Sequence, residues 1–252
     1  MNLGRQASTG GWDDAQAALR AWYATAPGAD LHGRIAARIE TLLRDRYALH
    51  CLQIGGTRYG VDLLAGRALI HRIHITGDGG GSMYGHPAAL PLASGSIDFV
   101  LLCHALEFSD DPHAILREVD RVLALDGQVL CVGFNPWSLL GLRALWGREV
   151  PWCGHFYGPG RIGDWFALLG WRVQRRETFG FSPPLRSARL RRRLMALERL
   201  HRWLPVQGGI HALLGRKHSI PFTPVPARRL RAEPRPVAAG GVVRPTRYTE
   251  MH

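Results

Sequence analysis

Residues 97–134 read IDFVLLCHALEFSDDPHAILREVDRVLALDGQVLCVGF. The first seven residues form an almost continuous apolar run, which is typical of a strand buried on both faces of a parallel sheet. Asp111 and Pro112 then supply an N-cap and a first-turn proline, so a helix begins there and is stopped at Asp126-Gly127. A second apolar run covers 128–134. Strand, helix and strand at this spacing predict one right-handed βαβ unit.

The chain on both sides of this unit alternates between helical periodicity and short apolar runs. The predicted helices cover 13–24, 31–47, 138–146, 160–169 and 183–204, and the further strands cover 48–54, 68–75, 171–178 and 211–220. Asp13 or Asp14 is expected to cap the first helix. The glycine-rich segment 77–85 is predicted to be a loop. From Pro221 onward the many prolines and arginines predict a tail that is disordered when alone.

This alternation of strands and helices predicts an open α/β sheet. Ligands of such sheets bind beyond the carboxyl ends of the strands, at the switch point of the strand order. Three segments are expected to meet there: 55–60, 104–108 and 134–138. Glycines after the first strand let the backbone approach a ligand closely. The pattern therefore predicts a ligand site, and it leaves the reaction open.

Composition excludes several classes of protein. The 252 residues are 46% hydrophobic and 21% charged, which is enough apolar material for a packed core. No stretch approaches ~20 uninterrupted apolar residues, and the first residues carry no apolar secretion signal. The four cysteines form no CxxC pair, so they are interpreted as reduced thiols of a cytoplasmic protein. Cys153 and His155 are too few ligands for a metal site.

The net charge of +12 is unevenly distributed. Residues 171–252 hold 17 Arg and Lys217 against four Glu, whereas 1–170 is slightly acidic. This basic third, in particular 186–247, indicates an anionic partner such as RNA, DNA or a phospholipid surface. The competing interpretation is a solvated, arginine-biased surface. For the helix within 185–204, its place between two predicted strands of one domain favours packing of its leucine stripe on the sheet over contact with a membrane or RNA.

Residues 90–143, from LPLASGSIDF to FNPWSLLGLR, resemble the class I S-adenosylmethionine-dependent methyltransferases of the type 11 family. The shared pattern is LPF, an apolar strand after FD, a His-x-Leu-Glu-like turn, a helix begun by Asp-Pro, an RVL turn and a strand. Two later pieces, WFALLGWRV (165–173) and GRKHSIPFTP (215–224), are similar to a bacterial subgroup of uncharacterised members. The resemblance extends loosely over about residues 48–225.

The resemblance implies a Rossmann-like, seven-stranded methyltransferase sheet with its last strand antiparallel. It also implies S-adenosylmethionine as cofactor, an unidentified small-molecule or lipid-like acceptor, and catalysis mainly by positioning. No catalytic residue is assigned. The expected cofactor-binding residues are Gly55, Gly56, Thr57, Gly60, Asp78, His86, Pro87, His104 and Ala105. The expected acceptor-side residues are Asn135, Trp137 and His155.

Four departures from the family pattern lie in the cofactor half. Gln53 stands where the family has an acid, and His86 stands where an Asp usually contacts adenine. Asp78 is the nearest candidate for the acid that holds the ribose. Only ten residues separate Ile75 from His86, so the third strand is predicted to be reduced. We therefore expect weak cofactor binding. The alternative function is a catalytically degenerate methyltransferase fold that binds RNA or another anionic partner through its basic C-terminal third.

The sequence thus predicts three parts. Residues 1–47 form an N-terminal helical segment, 48–220 the methyltransferase-like domain, and 221–252 a basic, flexible tail. The enzyme interpretation and the binding-protein interpretation share this division.

Overall fold

The computed structural model describes residues 11–56, 63–64, 71–76, 82–144, 147, 149–180 and 208–218. Several predictions lie outside these residues: the cofactor contacts of Thr57, Gly60 and Asp78, the helix over 183–204, the basic region 186–247 beyond its described part, and the tail 221–252. Within the described part of the chain, no helix is both long and apolar enough to cross a membrane.

Five helices and seven strands are described. The helices are α1 (Trp12–Tyr23), α2 (Ala26–Leu43), α3 (Pro112–Val122), α4 (Leu139–Ala144) and α5 (Pro159–Leu168). The strands are β1 (His50–Ile54), β2 (His71–Thr76), β3 (Met83–Tyr84), β4 (Ile97–Cys103), β5 (Leu123–Phe134), β6 (Trp171–Phe179) and β7 (Ile210–Lys217). The predicted element types agree with the described elements except at β3, because residues 83 and 84 of the predicted loop 77–85 pair in parallel with the end of β2. The other differences concern where the elements begin and end.

The strands form one mixed sheet in the order β3-β2-β1-β4-β5-β7-β6. The strands from β3 to β5 are parallel, and β7 runs antiparallel to both β5 and β6. Because β3 has two residues, six strands carry the sheet and the edge beside β2 is short. The strand order reverses between β1 and β4, so their carboxyl ends form the switch point.

In the central βαβ unit, helix α3 begins where the sequence predicts and ends earlier than expected. The Asp111 carboxylate accepts a hydrogen bond of 2.9 Å from the Ala114 amide, and Pro112 occupies the first turn of α3. The helix stops at Val122 rather than at Asp126-Gly127. Leu123 is already extended and buried, and it pairs with Ile97 of β4. Burial of Leu123 in the core therefore ends the helix before the Asp-Gly turn is reached.

The two N-terminal helices begin earlier than predicted. Gly11 is the N-cap of α1 and no side chain caps it, so the prediction that Asp13 or Asp14 does so is wrong. Trp12, buried against the sheet, fixes the first turn, and both aspartates lie in that turn, where the helix dipole favours them. Helix α2 begins at Ala26 and ends at Leu43, instead of covering 31–47, because a proline in its first turn favours an early start.

Two apolar cores cover the two faces of the sheet. One face packs against α1 and α2, through side chains such as Leu19, Tyr23 and Ile35. The other packs against α3 and α5, through side chains such as Ile115 and Phe166. The N-terminal helices therefore share a core with the sheet. Their position brings α1 over the carboxyl ends of the central strands, where the site lies.

Candidate functional site

The switch point is built around Gly55, the residue that follows β1. Its φ is +72°, a left-handed value that favours glycine. A Cβ at this position would lie 2.4 Å from the carbonyl oxygen of Cys103, the last residue of β4. The Gly55 amide donates to the Ile75 carbonyl of β2 at 3.3 Å. The turn after β1 therefore lies directly against the ends of both neighbouring strands, and a larger residue does not fit.

Polar side chains hold this turn from the β2 side. The Gln53 Nε2 donates to the Gly55 carbonyl at 3.2 Å, and the His74 Nε2 lies 3.1 Å from the same oxygen. The Gln53 Oε1 accepts from the Leu63 amide at 3.0 Å. Gly56 is buried beside them, with its Cβ position 3.4 Å from the Gln53 Nε2. Gln53, which replaces the expected acid, thus fixes the glycine turn through its amide.

Helix α1 covers the other side of the switch point. The Gln16 Nε2 donates to the His104 carbonyl at 2.9 Å, and the Trp12 Nε1 donates to the Ala105 carbonyl at 3.4 Å. The Gln16 Oε1 is buried and has no hydrogen-bond partner among the described residues. It lies 3.2 Å from the Cβ position of Gly55. This buried acceptor, which faces the glycine turn without a described partner, is therefore open to a hydrogen bond from a ligand.

The two α1 residues at this site, Trp12 and Gln16, were not predicted from the sequence. A signal for them was present, because Trp12 and Gln16 are four residues apart and so lie on one helix face with apolar Leu19. A glutamine within an apolar face needs a hydrogen-bond partner on the sheet.

His104 and Glu107 form a buried pair at the end of β4. The His104 ring lies with Nδ1 3.1 Å from the Glu107 Oε1 and with Nε2 2.8 Å from the Tyr23 hydroxyl. Burial alone raises the pKa of Glu107. The charge of His104 and the hydrogen bonds from His104 and from the Phe134 amide outweigh the effect of burial. The pKa of Glu107 is therefore lowered. Burial raises the pKa of Tyr23 well above its usual value. His104 thus lies at the predicted place, with both ring nitrogens already in contact with protein groups.

His211 of β7 lies near the same carboxylate. A Cβ on Gly133 would be 2.7 Å from the Glu107 Oε1 and 3.0 Å from the His211 Nε2, so Gly133 leaves room for both side chains. Burial lowers the pKa of His211 to about 4, so the ring is neutral at pH 7. Among the described residues, neither of its ring nitrogens has a hydrogen-bond partner. The strand predicted from residue 211 includes His211, but the sequence did not indicate that its ring lies beside Glu107.

The segment after α4 closes over the ends of β4 and β5. The His155 amide donates to the Glu107 carbonyl at 2.7 Å, and the Phe156 ring stacks on Phe134 with centroids 4.9 Å apart. The His155 side chain itself is exposed. Burial raises the pKa of Tyr157, which lies two residues after His155. His155 is therefore at the predicted acceptor edge, attached to it through its backbone.

Asn135 and Trp137 follow β5 and differ in exposure. The Asn135 Nδ2 donates to the Gly208 carbonyl at 3.0 Å, and its Oδ1 accepts from the Trp137 amide at 3.1 Å. Asn135 is fully buried, and these contacts join the end of β5 to the chain before β7. The Trp137 side chain is 73% exposed. Of this predicted pair, Trp137 is the one whose side chain is available to a ligand.

His86 and Pro87 lie on the other side of α1. The His86 side chain is exposed, and its ring centroid is 6.4 Å from that of Trp12. Its Nδ1 accepts from the Ala88 amide at 3.2 Å, and Pro87 is buried. The structure therefore brings Gly55, His104 and Ala105 together under α1, with His86 at the margin.

Part of the amino-acid sequence matches a known domain family. Residues 44–131 match the family model described as a methyltransferase domain. The chain is 31% identical over 205 residues to YafS, an uncharacterised protein of Escherichia coli strain K12, covering 80% of this chain and 82% of YafS. The chain belongs to the S-adenosylmethionine-dependent methyltransferase family.

Two further proteins, one similar in sequence and one similar in structure, are methyltransferases by name. A stretch of 54 residues is 44% identical to the malonyl-[acyl-carrier protein] O-methyltransferase of Laribacter hongkongensis, covering 21% of this chain and 18% of that protein. An S-adenosylmethionine-dependent methyltransferase from Archaeoglobus fulgidus has a similar structure, with a TM-score of 0.55 and 16% identity. That likeness covers 74% of this chain and 94% of the other, and it shows the shared fold.

Membership of the methyltransferase family supports S-adenosylmethionine as the cofactor, and the residues at the switch point fit it. Gly55 and Gly56 let the turn after β1 pack closely against the Cys103 carbonyl and the Gln53 amide at the carboxyl ends of the strands. The Gln16 Oε1 is a buried acceptor suited to the ammonium group of the methionine part. His74 and Gln53 supply polar groups between β1 and β2, the side on which the family has acids.

Proposed function

We propose that this protein transfers a methyl group from S-adenosylmethionine to an acceptor at the carboxyl edge of β4 and β5. The observation that carries this proposal is the contact of Gly55 with the Cys103 carbonyl, beside the buried Oε1 of Gln16, which has no hydrogen-bond partner among the described residues. It places a glycine turn and a buried acceptor at the switch point of a methyltransferase sheet. When bound, S-adenosylmethionine supplies an electrophilic sulfonium methyl group.

The buried titratable groups at this edge favour an acceptor that needs no deprotonation. An effective general base has a pKa near the working pH. The pKa of Glu107 is lowered, and that of His211 is about 4, so both are weak bases at pH 7. His104 holds both ring nitrogens against Tyr23 and Glu107. A carboxylate acceptor already carries a free lone pair at neutral pH.

The likeness to malonyl-[acyl-carrier protein] O-methyltransferase points to the same acceptor chemistry. The 54 matched residues are a minor part of both chains, and that enzyme is an O-methyltransferase that acts on malonyl-[acyl-carrier protein]. We therefore infer a carboxylate as the acceptor class, on a small or lipid-like molecule. In this scheme His104 and Tyr23 hold α1 on the sheet, and Glu107 stays ionised.

Isothermal titration calorimetry tests the cofactor half of the proposal. S-adenosylmethionine and S-adenosylhomocysteine are each titrated into the full chain, with ATP as a nucleotide control. We expect saturable heat with the first two ligands and none with ATP. No saturable heat with either ligand at millimolar concentration would contradict the methyltransferase function.

An acceptor panel tests the second half. Decanoate, decanol and decylamine share one chain and differ in the reacting group, and each is incubated with protein and radiolabelled S-adenosylmethionine. We expect label to enter the decanoate ester and not the ether or the methylamine. Transfer to decanol or decylamine with none to decanoate would refute the proposal that the acceptor is a carboxylate. The proposal that the protein transfers methyl groups would still stand.

A second candidate function follows from the charge of the C-terminal third. Residues 171–252 carry 18 cationic side chains against four Glu. We propose that residues 48–220 form the methyltransferase domain and that residues 221–252 form a basic tail. A non-catalytic scaffold that binds RNA or another anionic partner through this third would show salt-dependent RNA binding. Deletion of 221–252 should abolish that binding. RNA affinity that is independent of both salt and the tail would refute this candidate.

A further inference from the structure

A groove lies at the edge of the sheet opposite to Gly55. It runs along the amino ends of β1, β4 and β5 and has a volume of about 480 Å³. Small-ligand sites commonly measure ~300–1,000 Å³. Apolar side chains form most of its wall: Leu43, Tyr47, Leu49, Leu64, Phe99 and Leu125. We call this feature the amino-edge groove.

Large apolar side chains around the amino-edge groove are exposed to solvent. The exposed fractions are 88% for Tyr47, 54% for Leu49 and 74% for Leu125. Single exposed apolar residues are common on protein surfaces, whereas a contiguous group beside a concavity marks a binding site. An aliphatic chain lying along these three residues would cover them.

A guanidinium group at the groove has only neutral partners among the described residues. The Arg46 Nη1 donates to the Gln128 Oε1 at 2.6 Å and to the Gln174 Oε1 at 3.1 Å, and Arg46 forms no ion pair within the described part of the chain. Burial and the positive charges of Arg175 and Arg216 lower the pKa of Arg46. An anion beside Arg46 would offset this repulsion.

The acidic groups near the groove are already in contact with other partners. The Asp98 Oδ2 accepts from the amides of Leu49 and His50 at 3.0 and 2.9 Å. The Asp126 Oδ1 lies 3.5 Å from the Arg216 Nε. Farther along the same face, Glu177 contacts both Arg38 and Arg175. Asp98 and Asp126 themselves line the groove, yet these contacts direct their carboxylates to groups other than Arg46, so no described acid pairs with the positive charge of Arg46.

We propose that the amino-edge groove binds a free single-chain amphiphilic anion, with its aliphatic chain along Leu49 and Leu125 and its headgroup at Arg46. The chemical class is an alkyl carboxylate or an alkyl phosphate. The site is separate from the switch point at Gly55, because the two lie at opposite ends of the parallel strands. It does not depend on the proposed methyl transfer.

Calorimetry with decyl phosphate, below its critical micelle concentration, tests this site on the full chain. Inorganic phosphate and decanol serve as headgroup and tail controls. Arg46→Gln removes the charge, with Arg117→Gln as its control at an exposed arginine of α3. Leu125→Glu places a carboxylate at the groove, with Leu168→Glu as its control at an apolar residue of α5 that is 81% exposed. Circular dichroism verifies the fold of each variant.

We expect one saturable binding event for decyl phosphate, weakened about tenfold or more by Arg46→Gln and by Leu125→Glu. Both control variants should bind within about twofold of the wild type. Absence of binding, equal losses in groove and control variants, or equal binding of inorganic phosphate would overturn the proposal. So would binding of phosphatidylglycerol vesicles without binding of free decyl phosphate, because a membrane surface would then be the partner.

Discussion

The His104 Nδ1 and the Glu107 Oε1 lie 3.1 Å apart in a pair that is buried under α1 at the carboxyl end of β4. The same carboxylate oxygen accepts from the Phe134 amide at 2.8 Å, and the other ring nitrogen of His104 faces the Tyr23 hydroxyl. One carboxylate therefore links β4, β5 and α1. Its charge is stabilised by these partners, which explains why its pKa is lowered despite burial.

We predict that Glu107→Gln destabilises the fold by about 3–5 kcal/mol, the usual cost of removing one partner of a buried pair. Glutamine keeps the size of the side chain and can still accept a hydrogen bond from the Phe134 amide. The lost free energy of unfolding therefore measures the contribution of the negative charge. Urea unfolding at pH 7 measures it. Glu149→Gln, at an exposed glutamate, is the control and should change the free energy of unfolding by less than about 0.5 kcal/mol. Equal effects of the two variants would contradict the pair.

The pH dependence of stability should show the burial of His211. Its pKa is about 4 in the folded state and ~6.5 when unfolded, so the unfolded chain binds more protons between these values. The free energy of unfolding therefore falls as pH falls from about 6.5 to about 4, by about 2–3 kcal/mol from this group. The contribution of Glu107, whose folded pKa is lowered, is lost only below ~4.3.

Urea unfolding at pH 7 and at about pH 4.5 measures this loss. His211→Phe removes the titrating ring and should make stability less sensitive to pH in that window by about 2–3 kcal/mol. His113→Gln, at an exposed histidine of α3, should leave the sensitivity unchanged. If wild type and His211→Phe lose the same stability on acidification, another group carries the effect.

The sheet was predictable because its signal is local. The apolar runs at 97–103 and 128–134, with Asp111 and Pro112 between them, determine the βαβ unit without reference to the rest of the chain. The turn at Gly55 was predictable for the same reason. The predicted helix ends were less accurate, because burial of Trp12 and Leu123 determines where α1 begins and α3 ends and overrides the capping signals in the sequence.

The polar contacts at the site were not predictable to the same degree. Gln16 and Glu107 are 91 positions apart, and their roles depend on where α1 lies on the sheet. His211 is brought beside Gly133 by antiparallel pairing of β5 and β7, which periodicity does not reveal. Asn135 was predicted to face a ligand from its place after β5, yet its amide contacts the Gly208 carbonyl.

The close contact of Gly55 with β4 predicts that Gly55→Ala is severely destabilising. The substitution combines a left-handed φ of +72° with a Cβ placed 2.4 Å from the Cys103 carbonyl, so we expect a loss of roughly 2–5 kcal/mol. Gly170→Ala is a matched control, because its φ is +75° and nothing lies within 4 Å of its Cβ position. It should lose about 1–2 kcal/mol. Thermal and urea unfolding measure both, and equal losses would show that the contact is unimportant.

The Gln16 Oε1, which has no partner in the part of the chain that the structure describes, predicts which part of the cofactor α1 recognises. Gln16→Leu removes the Oε1 that faces Gly55, and we expect S-adenosylmethionine and S-adenosylhomocysteine to bind about tenfold more weakly, since each carries an ammonium group. Methylthioadenosine has the nucleoside and thioether but no ammonium group, so its affinity should change by less than about twofold.

Gln174→Leu, at an exposed glutamine of β6, is the control for loss of an amide and should leave all three affinities unchanged. Calorimetry gives the affinities, and urea unfolding of Gln16→Leu reports the stability lost with the hydrogen bond to the His104 carbonyl. A uniform weakening of all three ligands would assign Gln16 to the support of the β4 turn. Selective weakening of the two ammonium ligands assigns it to the cofactor, because a general distortion of the turn would also displace the nucleoside.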